Sequence, residues 1–168
     1  MQTRGGSSPP SRTIFMTILH YSTSLKAPLE KVFEWGSNLE NLSFIQPGYF
    51  KILKGGGIHE KGKKFVILFW EGLLPTLWFG RISDFKQNSH FTDVSDFGLF
   101  KHWQHTHSFK ALASGATEIS DHIEYELRGG FLGRYLDKLY VKSLLDKMYR
   151  GRQKKLHQNF EKLNTSIS

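Results

Sequence analysis

The sequence contains no cysteine, and this absence excludes several kinds of site. A chain without Cys forms no disulfide, has no thiolate nucleophile and holds no zinc on thiolate ligands. Its 168 residues also contain no apolar run close to the roughly 20 residues that a membrane-spanning helix needs. The absence of Cys suits a reducing compartment, and we expect a cytoplasmic location.

Residues 1–13 contain little that predicts regular structure. They are rich in Gly, Ser and Pro, and they lack the apolar stretch of a signal peptide. We expect a disordered tail over 1–13, followed by a single domain over 14–165. A domain of this length is able to bury a sizeable core.

Positive charge is in excess and is concentrated toward the C-terminus. The net charge is +8, and residues 134–162 contain nine Lys or Arg against three acids. This segment is either a surface that contacts an anionic membrane or an acidic partner, or simply a solvated helix face. Nucleic acid is a disfavoured partner, because stacking platforms interleave basic and aromatic residues, whereas here the two kinds lie on different predicted elements.

The pattern of apolar residues predicts an α+β fold with seven strands. The predicted strands cover 16–25, 49–54, 63–70, 76–86, 90–97, 100–112 and 116–127. Two short helices are predicted between the first two strands, at 28–36 and 37–43. Short turns rich in Gly, Asn and Ser join the later strands, which favours an antiparallel meander.

A long helix is predicted after the last strand, over 132–163. Its apolar residues recur at helical spacing, and they are Leu132, Tyr135, Leu136, Leu139, Met148, Phe160 and Leu163. A curved sheet has one concave face, and only this helix is long enough to cover it. Because one helix cannot fill a wide concave face, we predict a cavity between helix and sheet.

Strand alternation places ionisable residues on the concave face. His105 and His107 share a face with Trp103. Asp121 falls on the apolar face of the last strand, and Asp93 lies on the same face as Phe91. If the last two strands pair across the turn at 113–115, Asp121 comes close to His107. A buried ionisable group needs a partner, since burial otherwise shifts its pKa toward the neutral form.

Three interpretations of these polar residues stay open. They orient a ligand in an apolar pocket, they are structural, or they perform acid–base chemistry with His105 or His107 as the base and Asp121 as the orienting group. Two histidines on one strand face are also what a metal site requires, but the spacing defines no third ligand, so we predict no metal. The triple glycine at 55–57 lacks the spacing of a dinucleotide loop, and we predict no cofactor.

The stretch from Phe91 to Phe109 resembles a recurrent segment of the START-like (SRPBCC) superfamily. It is similar to the pattern F-x-D-x-x-x-x-G-x-F-x-x-W-x-H-x-H-x-F of the polyketide cyclase/dehydrase-like, ligand-binding branch, with Leu99 where Pro is more usual. The similarity extends over roughly 16–163 and includes Thr117, Asp121, Tyr125, Gly130 and Gly133.

This resemblance implies a helix-grip fold, in which a curved seven-stranded antiparallel sheet wraps around the C-terminal helix. It also implies a deep apolar cavity for a lipid, polyketide or sterol-like molecule, with the chain acting as a carrier or sensor or, alternatively, as a polyketide cyclase or dehydratase. The expected ligand-binding residues are Trp78, Phe79, Phe91, Asp93, Trp103, His105, His107, Phe109, Ile119, Asp121, Ile123, Tyr125, Tyr135 and Leu139.

Overall fold

Seven antiparallel strands form one sheet in the computed structural model, which describes residues 16–71 and 75–165. The strands are β1 Thr17–Leu25, β2 Tyr49–Lys54, β3 Lys64–Trp70, β4 Thr76–Lys86, β5 His90–Phe97, β6 Phe100–Ala111 and β7 Thr117–Leu127. Their order in the sheet is β1-β7-β6-β5-β4-β3-β2. The predicted seven-stranded antiparallel fold is therefore confirmed, while the predicted tail over 1–13 lies outside the described residues.

The two edges of the sheet are joined by short helices. β1 pairs with β7, so that β1 and β2 lie at opposite edges although they are neighbours in the chain. Between them run α1 (Leu29–Gly36), a 3-10 turn (Leu39–Asn41) and α2 (Leu42–Ile45).

One ring anchors these short helices to the concave face. Phe33 of α1 is buried, and its ring lies 5.1 Å from that of Phe109 and 6.5 Å from that of Phe91. The short helices therefore cover one end of the concave face.

The C-terminal helix is continuous but contains a π-helical turn. It consists of α3 (Gly130–Leu136), the π-turn over Asp137–Val141, and α4 (Lys142–Thr165). Asp137 accepts hydrogen bonds from Thr17 Oγ1 at 2.7 Å and from Tyr125 Oη at 2.6 Å, which ties the turn to the sheet. Because a π-turn inserts an extra residue into the helical repeat, α3 and α4 present their apolar residues in different directions.

The helix segment α4 provides the apolar surface that the sheet wraps around. Its buried residues follow helical spacing, and they are Leu145, Met148, Tyr149, Leu156 and Phe160. Tyr149 stacks on Tyr21 of β1 with ring centroids 5.2 Å apart. The side chain of Leu163, the last residue of the predicted stripe, lies outside the described part. In the described ranges, no helix combines the length and the apolar character that crossing a membrane requires.

Candidate functional site

A cavity of about 790 Å³ lies between the concave face, the short helices and α4. Most of its wall is apolar or aromatic, with residues that include Val32, Leu39, Phe65, Ile67, Trp78, Phe91, Leu145 and Met148. This volume falls within the range of small-molecule pockets. The aromatic part of the wall is firmly packed, since the ring of Trp78 meets that of Trp103 edge-on at 4.8 Å.

The cavity opens beside the junction of α3 and α4. Four large apolar residues both line the cavity and are substantially exposed, namely Leu77 (49%), Leu99 (55%), Leu136 (49%) and Tyr140 (40%). Residues that contact the cavity and solvent at once mark its mouth. The entrance is therefore bordered by β4, the β5–β6 turn and the start of the C-terminal helix.

Three adjacent strands bring four ionisable residues together in the cavity wall. The register of the sheet pairs Asp93 of β5 with His105 of β6, and His107 of β6 with Asp121 of β7. All four side chains point to the concave face, as the alternation predicts. The predicted approach of Asp121 to His107 is confirmed, with His107 Nδ1 2.9 Å from Asp121 Oδ1.

The four residues form a closed ring in which each imidazole lies between two carboxylates. His105 Nε2 and His107 Nδ1 lie 3.0 and 2.9 Å from Asp121 Oδ1. The other nitrogens, His105 Nδ1 and His107 Nε2, each lie 3.4 Å from Asp93 Oδ2. Trp103 Nε1 donates a hydrogen bond of 3.2 Å to Asp93 Oδ1, and the ring of His107 stacks on Phe91 at 4.3 Å.

Electrostatics within this His–Asp ring keep the carboxylates ionised. Burial by itself would raise the pKa of Asp93 and of Asp121, but hydrogen bonds from His105 and His107 outweigh it and hold both pKa values well below the usual range. Burial would likewise lower the pKa of His107, yet hydrogen bonds to Asp121 and Asp93 raise it to about 9.

The ring does not provide the free base that the cyclase hypothesis needs. Every imidazole nitrogen of His105 and His107 faces a carboxylate oxygen, so neither imidazole directs an unoccupied lone pair at the cavity. A pKa of about 9 also keeps His107 protonated near neutral pH. In this arrangement the four residues act as a fixed polar patch in an apolar wall.

A third histidine of the wall, His59, was missed by the sequence analysis. It lies in the β2–β3 loop, where its backbone N–H donates to Ser37 O at 2.7 Å, and its ring lies 4.9 Å from that of Phe91. The side chain is buried, and Nδ1 has no hydrogen-bond partner within the described residues. Burial lowers the pKa of His59 to about 4, and the neighbouring His107 adds to this effect. A loop has no periodicity, so no sequence signal points to it.

Polar residues of α4 also line the cavity, namely Tyr149, Arg152 and Gln153. The hydroxyl of Tyr149 lies 3.3 Å from His105 Nδ1, on the same side as Asp93. Arg152 donates from Nε to Gln46 Oε1 at 2.7 Å, and its guanidinium lies 4.9 Å from the ring of Tyr149. Tyr149 and Arg152 follow Leu145 at helical intervals, a signal that could have identified both.

Most of the expected ligand-binding residues line the cavity. These are Trp78, Phe91, Asp93, Trp103, His105, His107, Phe109, Ile119 and Asp121. Ile123 and Tyr125 do not line it, although they belong to the same strand face: both are completely buried, and Tyr125 Oη is bonded to Asp137 of the π-turn. They belong to the core beneath the helix.

Three other expected positions also need correction. Phe79 follows Trp78 in β4 and therefore points to the opposite, outer face of the sheet, where its ring meets that of Phe97 at 5.9 Å. Tyr135 and Leu139 are each 61% exposed and do not line the cavity. Tyr135 belongs to α3 and Leu139 to the π-turn itself, and this turn separates their face from the face of α4 that covers the sheet.

No family model and no curated protein matches this sequence. Solved structures do match it over most of its length. An aromatase/cyclase, Zhui from Streptomyces sp. R1128, superimposes with a TM-score of 0.71 at 12% identity, covering 88% of this chain and 94% of that one. A START superfamily protein from Mycobacterium smegmatis gives 0.67 at 14% identity, covering 87% and 98%. TTHA0849 from Thermus thermophilus gives 0.69 at 16% identity, covering 88% and 99%.

Proposed function

From the START-like helix-grip fold of the chain, we propose that its cavity binds an apolar small molecule, as a carrier or sensor of that molecule. The observation that supports this most is the cavity itself, about 790 Å³ with a mainly apolar wall and one polar patch. The ring of Asp93, His105, His107 and Asp121 would orient a polar group at one end of the ligand. The alternative is an enzymatic role, since one of the similar structures is an aromatase/cyclase. The His–Asp ring does not favour this alternative, because it provides no free base.

Filling the cavity is expected to abolish ligand binding. Leu144 lines the cavity from α4 and is only half-buried, so that Leu144→Trp projects an indole into the space without overpacking the core. We expect the affinity for the neutral apolar fluorophore N-phenyl-1-naphthylamine to fall by at least about tenfold, which equals 1.4 kcal/mol. Fluorescence titration measures this affinity.

The matched control is Ile18→Trp, which adds the same indole to an exposed position of β1. This variant should bind the fluorophore as the original protein does. Equal affinity in Leu144→Trp and Ile18→Trp would show that the fluorophore binds elsewhere and would contradict the proposal. If the two variants differ as expected, native mass spectrometry of protein purified from its own host would identify the ligand that the cavity holds.

We also propose that the mouth of the cavity docks on an anionic membrane surface. Exposed apolar residues of the mouth and of the adjoining turns of the C-terminal helix form an apolar lip, which we define as Leu77, Leu99, Phe131, Leu132, Tyr135, Leu136, Leu139 and Tyr140. Phe131 is 79% exposed, and exposed apolar residues clustered to this degree are typical of interaction sites. The cavity would then open directly onto the lipid.

The charges next to the apolar lip favour a lipid surface that is anionic. Arg134, Lys138 and Lys142 lie on the same helix, whereas the one acid among them, Asp137, is directed inward to Thr17 and Tyr125. Basic residues beside an inserted apolar face attract anionic headgroups. Within the predicted contact of the basic helix with a membrane, we therefore propose that the first turns of the helix are the part that meets the lipid.

Removing apolar side chains from the lip is expected to release the protein from vesicles. The double variant Phe131→Ser/Leu139→Ser should lower partitioning onto vesicles with about 30% phosphatidylserine by at least about tenfold, because each buried side chain contributes about 1.5–3 kcal/mol. Cosedimentation with the vesicles measures this partitioning. Raised salt should weaken vesicle binding of the original protein, because it screens the charges.

The control variant Ile18→Ser/Leu53→Ser removes two exposed apolar residues from other strands and should bind to the vesicles as the original protein does. Vesicle binding that ignores both phosphatidylserine and salt would rule out the anionic membrane as the partner. So would equal loss in both double variants.

A further inference from the structure

We propose that Asp93, His105 and His107 form a binding site for a divalent first-row transition metal ion of the zinc and cobalt class. One ligand atom from each of the three lies within 4.8 Å of the others. Asp93 Oδ2 is 3.4 Å from His105 Nδ1 and 3.4 Å from His107 Nε2. Ligand atoms about 2.0 Å from a tetrahedral ion are separated by about 3.3 Å, so both carboxylate–imidazole distances have the required length.

The second carboxylate supports the same assignment. Metal-bound histidines almost always donate the N–H of their other nitrogen to a carboxylate or a carbonyl, which fixes the tautomer and the ring orientation. Asp121 Oδ1 is placed to accept from both histidines, at 3.0 Å from His105 Nε2 and 2.9 Å from His107 Nδ1. The ring therefore has two different sides, with Asp93 as the ligand and Asp121 as the orienting group.

A further contact orients the ligand carboxylate. Trp103 Nε1 donates to Asp93 Oδ1 at 3.2 Å, which leaves Oδ2 directed at the two imidazoles. The hydroxyl of Tyr149 lies 3.3 Å from His105 Nδ1. A bound ion would therefore either displace this hydroxyl or coordinate it. Two nitrogens and one carboxylate suit borderline ions such as Zn²⁺ and Co²⁺, and the ion on binding replaces any proton on the two ligating nitrogens and releases it to solvent.

The proposed site has an open side. Asp93, His105 and His107 all line the cavity, so three protein ligands would leave a coordination position directed into it. Three protein ligands with one open position are the arrangement of catalytic and ligand-binding zinc sites. The ion would thus offer a bound molecule a Lewis-acidic contact that the side chains alone do not provide. The inference is independent of whether the cavity binds an apolar ligand.

The test uses the full chain, stripped of metal by a chelator, and titrated with Co²⁺ and with Zn²⁺. We expect one equivalent of Co²⁺ to give the visible absorption bands of a four- or five-coordinate ion, and calorimetry to give one Zn²⁺ per chain. Asp93→Asn keeps the shape of the side chain and should weaken Zn²⁺ binding by more than about a hundredfold, while Asp121→Asn should weaken it by about 10–100-fold without changing the stoichiometry.

The matched control is Asp84→Asn, since Asp84 makes an exposed pair with His90 at 3.0 Å. It should leave Zn²⁺ affinity and the cobalt spectrum unchanged. Circular dichroism shows whether each variant folds. If Asp93→Asn does not fold, the visible absorption spectrum of the original protein with Co²⁺ still tests the proposal. The absence of stoichiometric binding to the original protein would overturn the proposal, as would affinity retained in a folded Asp93→Asn variant.

Discussion

Replacing Asp121 by alanine is expected to lower the free energy of unfolding by about 3–5 kcal/mol, the usual cost of removing one partner from a buried charged pair. The variant leaves His105 Nε2 and His107 Nδ1 without the carboxylate that now accepts from both at 3.0 and 2.9 Å. Both imidazoles sit in an apolar wall, where an unpartnered donor cannot be solvated fully. Urea denaturation of metal-free protein at neutral pH measures the loss.

Two further variants make this prediction specific. Asp121→Asn keeps an acceptor oxygen and removes only the charge, so its cost should be clearly smaller than that of alanine. Asp84→Ala breaks a His–Asp pair of 3.0 Å on the surface and should leave the unfolding free energy nearly unchanged, because exposed ion pairs contribute little. A cost for Asp121→Ala no larger than for Asp84→Ala would mean that the ring is solvated and does not hold the sheet together.

The strands of the fold could be predicted closely because their signals are local. Alternation within each strand and the glycines and asparagine between them define β2 to β7 almost residue by residue. The partner of β1 could not be predicted in the same way. Its pairing with β7 joins residues about a hundred positions apart, such as Thr17 and Tyr125, and no short turn dictates such a contact.

The polar side of the cavity was partly predictable for the same reason. Alternation and the tight turn between β6 and β7 bring His107 and Asp121 together, so their contact followed from the sequence. The approach of Asp93 to both histidines depends on the β5–β6 register, whose pairs end at Val94 and Gln104, so that no tight turn fixes it. Without that register, the two contacts of Asp93 with His105 and His107 could not be predicted, and so the sequence offered no third ligand for a metal ion.

Tyr135 and Leu139 of the apolar lip were mistaken for cavity wall because the helical stripe was assumed to keep one face. Continuing the spacing of Tyr135 and Leu139 by three or four residues leads to Lys142 and Ser143, which are exposed. The apolar series resumes at Leu144 and Leu145 on another face. The break in spacing coincides with the π-turn at Asp137–Val141, so the sequence did contain a sign of the change.

Acidification is expected to destabilise the protein through His59 before the carboxylates titrate. The pKa of this buried imidazole is lowered from 6.5 to about 4, so the unfolded chain binds a proton in that interval that the folded chain does not. The stability that neutral His59 contributes is complete above about pH 6.5 and is lost as the pH falls toward 4. A shift of this size corresponds to about 3 kcal/mol.

The groups facing His59 set the size of this effect. Burial is its main cause, His107 and Lys63 add to it by charge repulsion, and Asp93 opposes it. His59→Leu keeps an apolar contact with Phe65 and Phe91 and removes a ring nitrogen that has no partner in the described part of the chain. At pH 7 the variant should therefore be at least as stable as the original protein.

The unfolding free energies of the original protein and of His59→Leu should diverge as the pH falls. Between pH 6.5 and 4 the original protein is expected to lose about 3 kcal/mol more than His59→Leu, measured by urea denaturation at a series of pH values. Ile58→Leu, a change without a titrating group in the same loop, should keep the original pH dependence. Parallel curves for His59→Leu and the original protein would show that His59 is hydrated in solution, and the β2–β3 loop would then not seal this side of the cavity.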